Sequence, residues 1–338
     1  MNLPYAHGGP PLTARLRATP DDFKVDELHE RVPDGDGDHV WLDIQKRGAN
    51  TDWVARELAR LAGVKPVDVG YAGLKDRDAV TTQVFTVHLP GRDEPDWSTL
   101  PESVTVRATH RHRRKLKRGA LLGNRFGIVL RDVVGDPAQA DARLEAIKAS
   151  GVPNYFGDQR FGRRGANVAR AEAMFGGKSV DRATRSILLS AARSHLFNTV
   201  LAQRVETGRW NRALVGEIWS LAGSRAWFGP EAWSDALDER LASGDIHPSG
   251  PLWGRGALRT MDDALALELE ALAPFVSLKE GLEAAGLSQD RRALRLLPVS
   301  LEWTWRADDA LEVSFELPPG CYATVVLREL ADTTHSSS

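Results

Sequence analysis

Tyr71-Ala72-Gly73-Leu74-Lys75-Asp76-Arg77-Asp78-Ala79-Val80-Thr81-Thr82-Gln83 sets one carboxylate between two cations on a glycine-hinged turn, with strand-like sequence on either side. Val67 to Ala72 reads as a short strand and Val80 to His88 as the next, so the turn is held by regular structure at both ends. Loops held in this way commonly present reactive groups. A carboxylate between Lys75 and Arg77 is expected to stay ionised, because nearby opposite charge favours the charged form, and an ionised carboxylate can act as a nucleophile. An ordinary surface aspartate would have the same neighbours. Gly73 is expected to permit the backbone bend.

Moving outward, His39 to Gln45 alternates like a strand, and Thr51 is placed to cap a helix. Val54, Ala55, Leu58, Leu61 and Ala62 fall on one helical face, and Gly63 supplies the stop. From 151 to about 297 the pattern is mostly helical. Asn167 is placed to cap a helix ending at Gly176-Gly177, Val180 to Glu206 forms a long helix, and Thr260 with Asp263 approximates a capping box. Alternation then returns in Leu311, Val313, Phe315 and Leu317. The expected fold class is α+β: a discontinuous domain with a mixed or antiparallel sheet, made from 1–150 and 298–338, and an inserted, mostly helical α/β domain over 151–297. The tail from Thr333 to Ser338 reads as disordered.

A chain of 338 residues with 42% hydrophobic content is long enough for two cores. The single Cys321 excludes an intramolecular disulfide framework, and no C-x-x-C pair is present, which fits a cytoplasmic location. Neither a signal-peptide pattern nor a membrane-length apolar run occurs, so no membrane association is expected. The formal net charge is -2, yet Arg107, Arg111, Arg113, Arg114, Lys115, Lys117 and Arg118 crowd a stretch without a carboxylate, while Asp34, Asp36 and Asp38 crowd an acidic loop. Such a basic run is either a solvated face or a phosphate-binding one. Arg160, Arg163 and Arg164, with Arg291, Arg292 and Arg295, tilt that choice toward RNA. His110 and His112 alternate as a metal pair would, but the surrounding cations would repel a metal, so no metal site is expected. His195, inside a long helix, reads as structural. The absence of G-x-S-x-G, H-E-x-x-H, P-loop and Rossmann glycine patterns argues against hydrolase, metalloprotease, NTPase and dehydrogenase chemistry.

The segment around Asp76 resembles the G-x-K-D-[RK]-x-A-V-T-x-Q signature of the tRNA pseudouridine synthase D family. Five further segments resemble that family in order: Asp22 to Glu27, Leu121 to Phe126, Pro153 to Gly162, Ser190 to Ser194, and Leu317 to Thr324. The resemblance implies a cofactor-free isomerase that converts a uridine of tRNA, at position 13 in the D-arm, to pseudouridine. It implies a pseudouridine synthase-type catalytic domain carrying a family-specific insertion, and no obligate protein partner is evident. Asp76 then stands at the place of the nucleophile.

Phe23, Asn124, Phe126 and Tyr322 match substrate-contacting places. A stacked uridine must be turned out of its helix and gripped between aromatic or apolar groups before a carboxylate can reach it. Read without the resemblance, the three aromatics are core residues and Asn124 is a turn residue. Arg17 is the positional choice for the basic partner of Asp76, and Lys75 either contacts phosphate or structures the turn. Arg111, Arg113, Arg114, Lys115, Lys117 and Arg118, with Arg160, Arg163 and Arg164, are the expected phosphate contacts. A non-catalytic RNA-binding protein or tRNA folding helper would use the same basic faces.

Overall fold

A computed structural model describes residues 3–30, 32–307 and 309–333, so the tail from 334 lies outside the described residues. The chain begins with β1 (Leu12–Arg15), β2 (Phe23–Leu28), β3 (His39–Arg47), α1 (Thr51–Ala62), β4 (Val69–Tyr71), β5 (Val80–His88), β6 (Val104–His112) and β7 (Gly123–Gly135). It continues through α2 (Pro137–Ser150), β8 (Val152–Pro153), α3 (Ala166–Phe175), α4 (Arg182–Glu206), β9 (Trp219–Leu221), β10 (Trp227–Phe228) and α5 (Asp235–Ser243). Then come β11 (Ile246–Leu252), α6 (Asp262–Leu272), α7 (Val276–Ala284), β12 (Asp290–Ala293) and β13 (Arg295–Leu296). The chain ends with β14 (Val299–Ala307), β15 (Ala310–Leu317), α8 (Ala323–Leu330) and β16 (Ala331–Asp332).

Among the described residues two compact units result: 12–136, 298–320 and 331–333 form one, and 3–11, 137–297 and 321–330 form the other. Residues 137–150 and 321–330, expected with the sheet, therefore group with the helical unit. The cause is local packing. α2 buries Ala140, Leu144 and Ile147, and its Arg143 donates to the Glu329 carbonyl of α8 at 2.5 Å. The buried Glu329 carboxylate in turn accepts the Ala6 N–H at 3.0 Å, which ties residues 3–11 to the same unit.

The first unit is built on a mixed ten-stranded sheet whose main path runs β14-β15-β7-β2-β5-β3-β6, with β1, β16 and β4 attached beside it. β2 runs parallel to β5 and antiparallel to β7, while β3 is antiparallel to both β5 and β6. Register decides which side chains share a face, because paired residues point the same way and neighbours along a strand alternate. Lys46 lies opposite Thr81, Val25 is opposite both Thr81 and Phe126, and Phe126 is opposite Phe315, so these residues form one row across the sheet. Ile44 and Gln83 form an adjoining pair, as do Glu27 and Asn124. α1 covers this face over β3 and β5, packing Val54, Ala55, Leu58, Ala59 and Ala62 against Leu42, Ile44, Phe85 and Val87. It ends where Gly63 takes a left-handed φ of 61°, its N–H reaching back to Ala59 and Arg60.

In the helical unit α4 packs against α3, α6 and α7 around Leu188, Leu196, Val200, Leu272, Leu278 and Leu282. His195 sits within α4, edge-on to Phe275 at 5.1 Å, as a packing residue. Three expected caps differ from the structure. Asn167 lies in the first turn of α3, behind Gly165, and α4 is capped by Asp181, whose carboxylate accepts the Thr184 N–H at 2.9 Å. The Thr260 hydroxyl donates to the buried Glu268 at 2.9 Å instead of capping α6. Thr51 is the first residue of α1, and its hydroxyl is used elsewhere, in the loop that carries Asp76.

Candidate active site

Asp76 stands in the loop between β4 and β5, a third of its side chain exposed. Its Oδ2 accepts from the Arg17 guanidinium, while Oδ1 has no partner among the described residues. The cation on Asp76 therefore comes from a segment 59 positions away, and neither sequence neighbour supplies it. Arg17 has a left-handed φ of 59°, and its guanidinium carbon lies 4.3 Å from the centre of the Phe23 ring. A planar cation can stack on an aromatic face and bond a carboxylate at the same time, which fixes its orientation better than either contact alone.

Lys75 is turned inward. It is 4% exposed and its Nζ bonds the fully buried Glu27 carboxylate, whose other oxygen lies 2.7 Å from His29 Nε2. Burial pushes the Glu27 carboxyl up, but the His29 contact and the Lys75 charge outweigh it and hold the group below the usual range. Of the two roles open to Lys75, this placement fits the structuring of the turn. Gly73 does not take a left-handed φ, and a Cβ there would meet Lys75 Nζ at 3.4 Å, an ordinary contact, so the expected need for glycine at the bend is not seen in its backbone. The loop is further held through its main chain. Lys75 N donates to the Thr51 hydroxyl at 3.0 Å, that hydroxyl donates to Gln83 Oε1 at 2.9 Å, and Gln83 Nε2 donates to the Gly73 carbonyl at 3.2 Å.

Phe23 and Phe126 are both buried, edge to face with centres 6.3 Å apart, and Phe126 also packs on Phe315 at 5.6 Å. Asn124 is half-buried, and its amide oxygen is buried without a partner among the described residues. A buried acceptor without a donor is uncommon, and substrate is one explanation for it.

In the helical unit Tyr322 Oη accepts from Arg160 at 2.7 Å, and the same guanidinium donates to Ser190 at 2.9 Å. Arg292 stacks over Phe156 at 4.3 Å and donates to Asn154 at 2.7 Å. Five of the six family-like segments fall wholly within one unit, and Leu317 to Thr324 is divided between the two. Phe23, Asp76, Asn124 and Phe126 lie in the sheet unit, and Asn154, Arg160, Ser190 and Tyr322 in the helical one.

The expected phosphate contacts divide by what already occupies them. Arg113 is bidentate to Asp36 at 2.8 and 2.9 Å, Arg111 donates to the carbonyls of Leu89 and Arg92, Lys115 bonds the Val67 carbonyl, and Arg118 stacks on Tyr71. His112 is buried, its Nδ1 2.8 Å from the Asp34 carboxylate, so it does not face solvent with the basic run. The acidic loop and the basic run, far apart in sequence, are folded onto each other. Arg114, Lys117, Arg163 and Arg164 are exposed and have no partner among the described residues. No group of three or more potential metal-ligating side chains is found among the described residues, and no helix there is long and apolar enough to cross a membrane.

Sequence reading missed Glu27, Thr51 and Gln83 as supports of the loop. The signal for Gln83 was its place at the end of the quoted motif, where a strand residue adjoins the turn it returns from.

A family model described as tRNA pseudouridine synthase D (TruD) matches residues 2–178 and 172–330. A relative named tRNA pseudouridine synthase D from Xanthomonas axonopodis pv. citri is 55% identical, over 98% of this chain and 94% of its own. One of the same name from Methylococcus capsulatus is 52% identical, again over 98% and 94%. A Methanosarcina mazei crystal structure, described as a candidate tRNA pseudouridine synthase D, superposes with a TM-score of 0.76 at 21% identity, covering 97% of this chain and 98% of that one, and shows the shared fold. Matched along nearly its whole length, the chain belongs to the tRNA pseudouridine synthase D family.

Proposed function

We propose that this protein isomerises a uridine in tRNA to pseudouridine, with Asp76 as the reacting carboxylate. The observation that carries the residue assignment is the Arg17–Asp76 pair: one carboxylate oxygen is bound by a stacked guanidinium and the other has no partner among the described residues. The reaction breaks the glycosidic bond, turns the base over and rejoins it through carbon. It asks the protein for a nucleophile or base, an orienting aromatic wall and polar contacts to the base. Asp76 attacks the nucleotide or takes a proton from the ribose. Phe23 and Phe126 build the aromatic wall, and the Asn124 oxygen, on the same sheet face and without a partner among the described residues, accepts a hydrogen bond from the base. Position 13 in the D-arm follows from the family resemblance.

Arg114, Lys117, Arg163 and Arg164, exposed and without a partner among the described residues, are the first candidates for phosphate contact, and binding should weaken with salt through counterion release. Tyr322 and Arg160 contribute as a bonded pair. The test is to incubate the protein with unmodified tRNA transcripts and map pseudouridine by carbodiimide-primer extension, with Asp76→Asn alongside. Product from the wild type alone, with tRNA binding retained by the variant, supports the assignment. Product from both removes Asp76 from the chemistry, and binding without product from either favours a non-catalytic RNA-binding role.

A further inference from the structure

Lys46 lies near the end of β3, fully buried, on the sheet face that Leu42 and Ile44 line for α1. An apolar side chain would serve packing there, and an ammonium in such a place needs compensation. No carboxylate among the described residues supplies it directly. Lys46 Nζ donates to two main-chain carbonyls, Ala49 at 2.6 Å and Asp76 at 3.1 Å. The first belongs to the turn that leads into α1, and the second to the peptide of the reacting residue itself. Together with the Gly73 and Lys75 bonds to Gln83 and Thr51, this leaves the loop with three main-chain groups bound by side chains of the sheet and helix. Lys46 is the one of these three side chains that carries charge.

We propose that Lys46 is a positioning residue for Asp76, fixing the loop through the Asp76 carbonyl and setting a positive charge beside the nucleophile. The inference rests on the reading of Asp76 as the reacting carboxylate. Burial lowers the Lys46 ammonium to about 8, the nearby Asp76 charge acting against that fall and Lys75 adding to it. The Lys46 charge is thus coupled to the Asp76 charge. Held in this way, the carboxylate does not need to be ordered when substrate arrives, so the effect belongs to the rate of reaction and leaves binding nearly unchanged.

The experiment compares wild type, Lys46→Met, Lys46→Gln and Asp76→Asn on an unmodified tRNA transcript, reading kcat, KM, tRNA affinity and thermal melting for each. The expected result is a kcat about tenfold or more below wild type in Lys46→Met, with KM and tRNA affinity within about twofold. Lys46→Gln should fall less, because its amide still donates to one carbonyl. Full kcat in Lys46→Met beside an inactive Asp76→Asn overturns this inference alone. An active Asp76→Asn overturns the reading of Asp76 on which it rests. A loss of activity that only tracks the loss of folded protein, or failure of both Lys46 variants to fold, makes Lys46 a residue of the fold and overturns the positioning role.

Discussion

Lys75 Nζ bonds the Glu27 carboxylate in a site where the two side chains are 4% and 0% exposed, so the residue next to the candidate nucleophile anchors the loop. Removing one partner of a buried pair leaves the other charge uncompensated, so Glu27→Ala should destabilise the protein by about 3–5 kcal/mol in denaturant unfolding. Glu27 also predicts an acid limb. Its folded carboxyl is held below the ordinary 4.5, so its stabilisation is present above that value and lost as pH falls through the folded one. Unfolding followed from pH 7 downward should steepen below about 4.5, and Glu27→Gln should flatten that limb.

Arg17 binds Asp76 and stacks on Phe23. Arg17→Ala should lower kcat by about 10- to 100-fold, the size expected for a charge-assisted bond, with little change in tRNA affinity. Arg17→Lys should recover only part of the rate, since a point charge cannot both stack and bond in that geometry. Single-turnover rates set against filter-binding constants check this, and a loss seen only in KM would count against it.

Asp36 neutralises Arg113 on the exposed basic face. Asp36→Asn should free that guanidinium, tighten tRNA binding at low salt, and raise the slope of log affinity against log salt by about 0.7–0.9 if one phosphate contact is gained. Arg114→Ala and Lys117→Ala should each reduce the slope by a similar amount. Unchanged slopes in all three variants would place the RNA elsewhere.

Phe126 is buried between Phe23 and Phe315. Phe126→Ala should cost about 3–5 kcal/mol of stability through the cavity it leaves. Phe126→Leu should unfold at a denaturant midpoint closer to wild type and still lose rate on tRNA, which would separate the ring's role at the site from its role in the core.

Tyr322 accepts a hydrogen bond from Arg160. Tyr322→Phe leaves the guanidinium to Ser190 and the Phe156 ring, and a bond from a charged donor contributes about 1.5–3 kcal/mol, so a fall of about 10- to 100-fold in kcat/KM is expected. A silent substitution would show that the hydroxyl has no part in placing Arg160.

Much of the fold was legible in the chain because local periodicity reports burial. Val80 to His88 is a strand with the expected bounds, Leu311, Val313, Phe315 and Leu317 are the buried positions of β15, and α1 ends at Gly63. The order of the six family-like segments, with Asp76 in a loop between two strands, was legible as well. Partners were not. Charges interact across space, and strand register sets spatial distance independently of sequence separation. Only the folded sheet could therefore give Asp76 the distant Arg17, turn Lys75 inward to Glu27, lay the acidic loop on Arg113, and draw the Thr51 hydroxyl and Lys46 ammonium to the loop main chain.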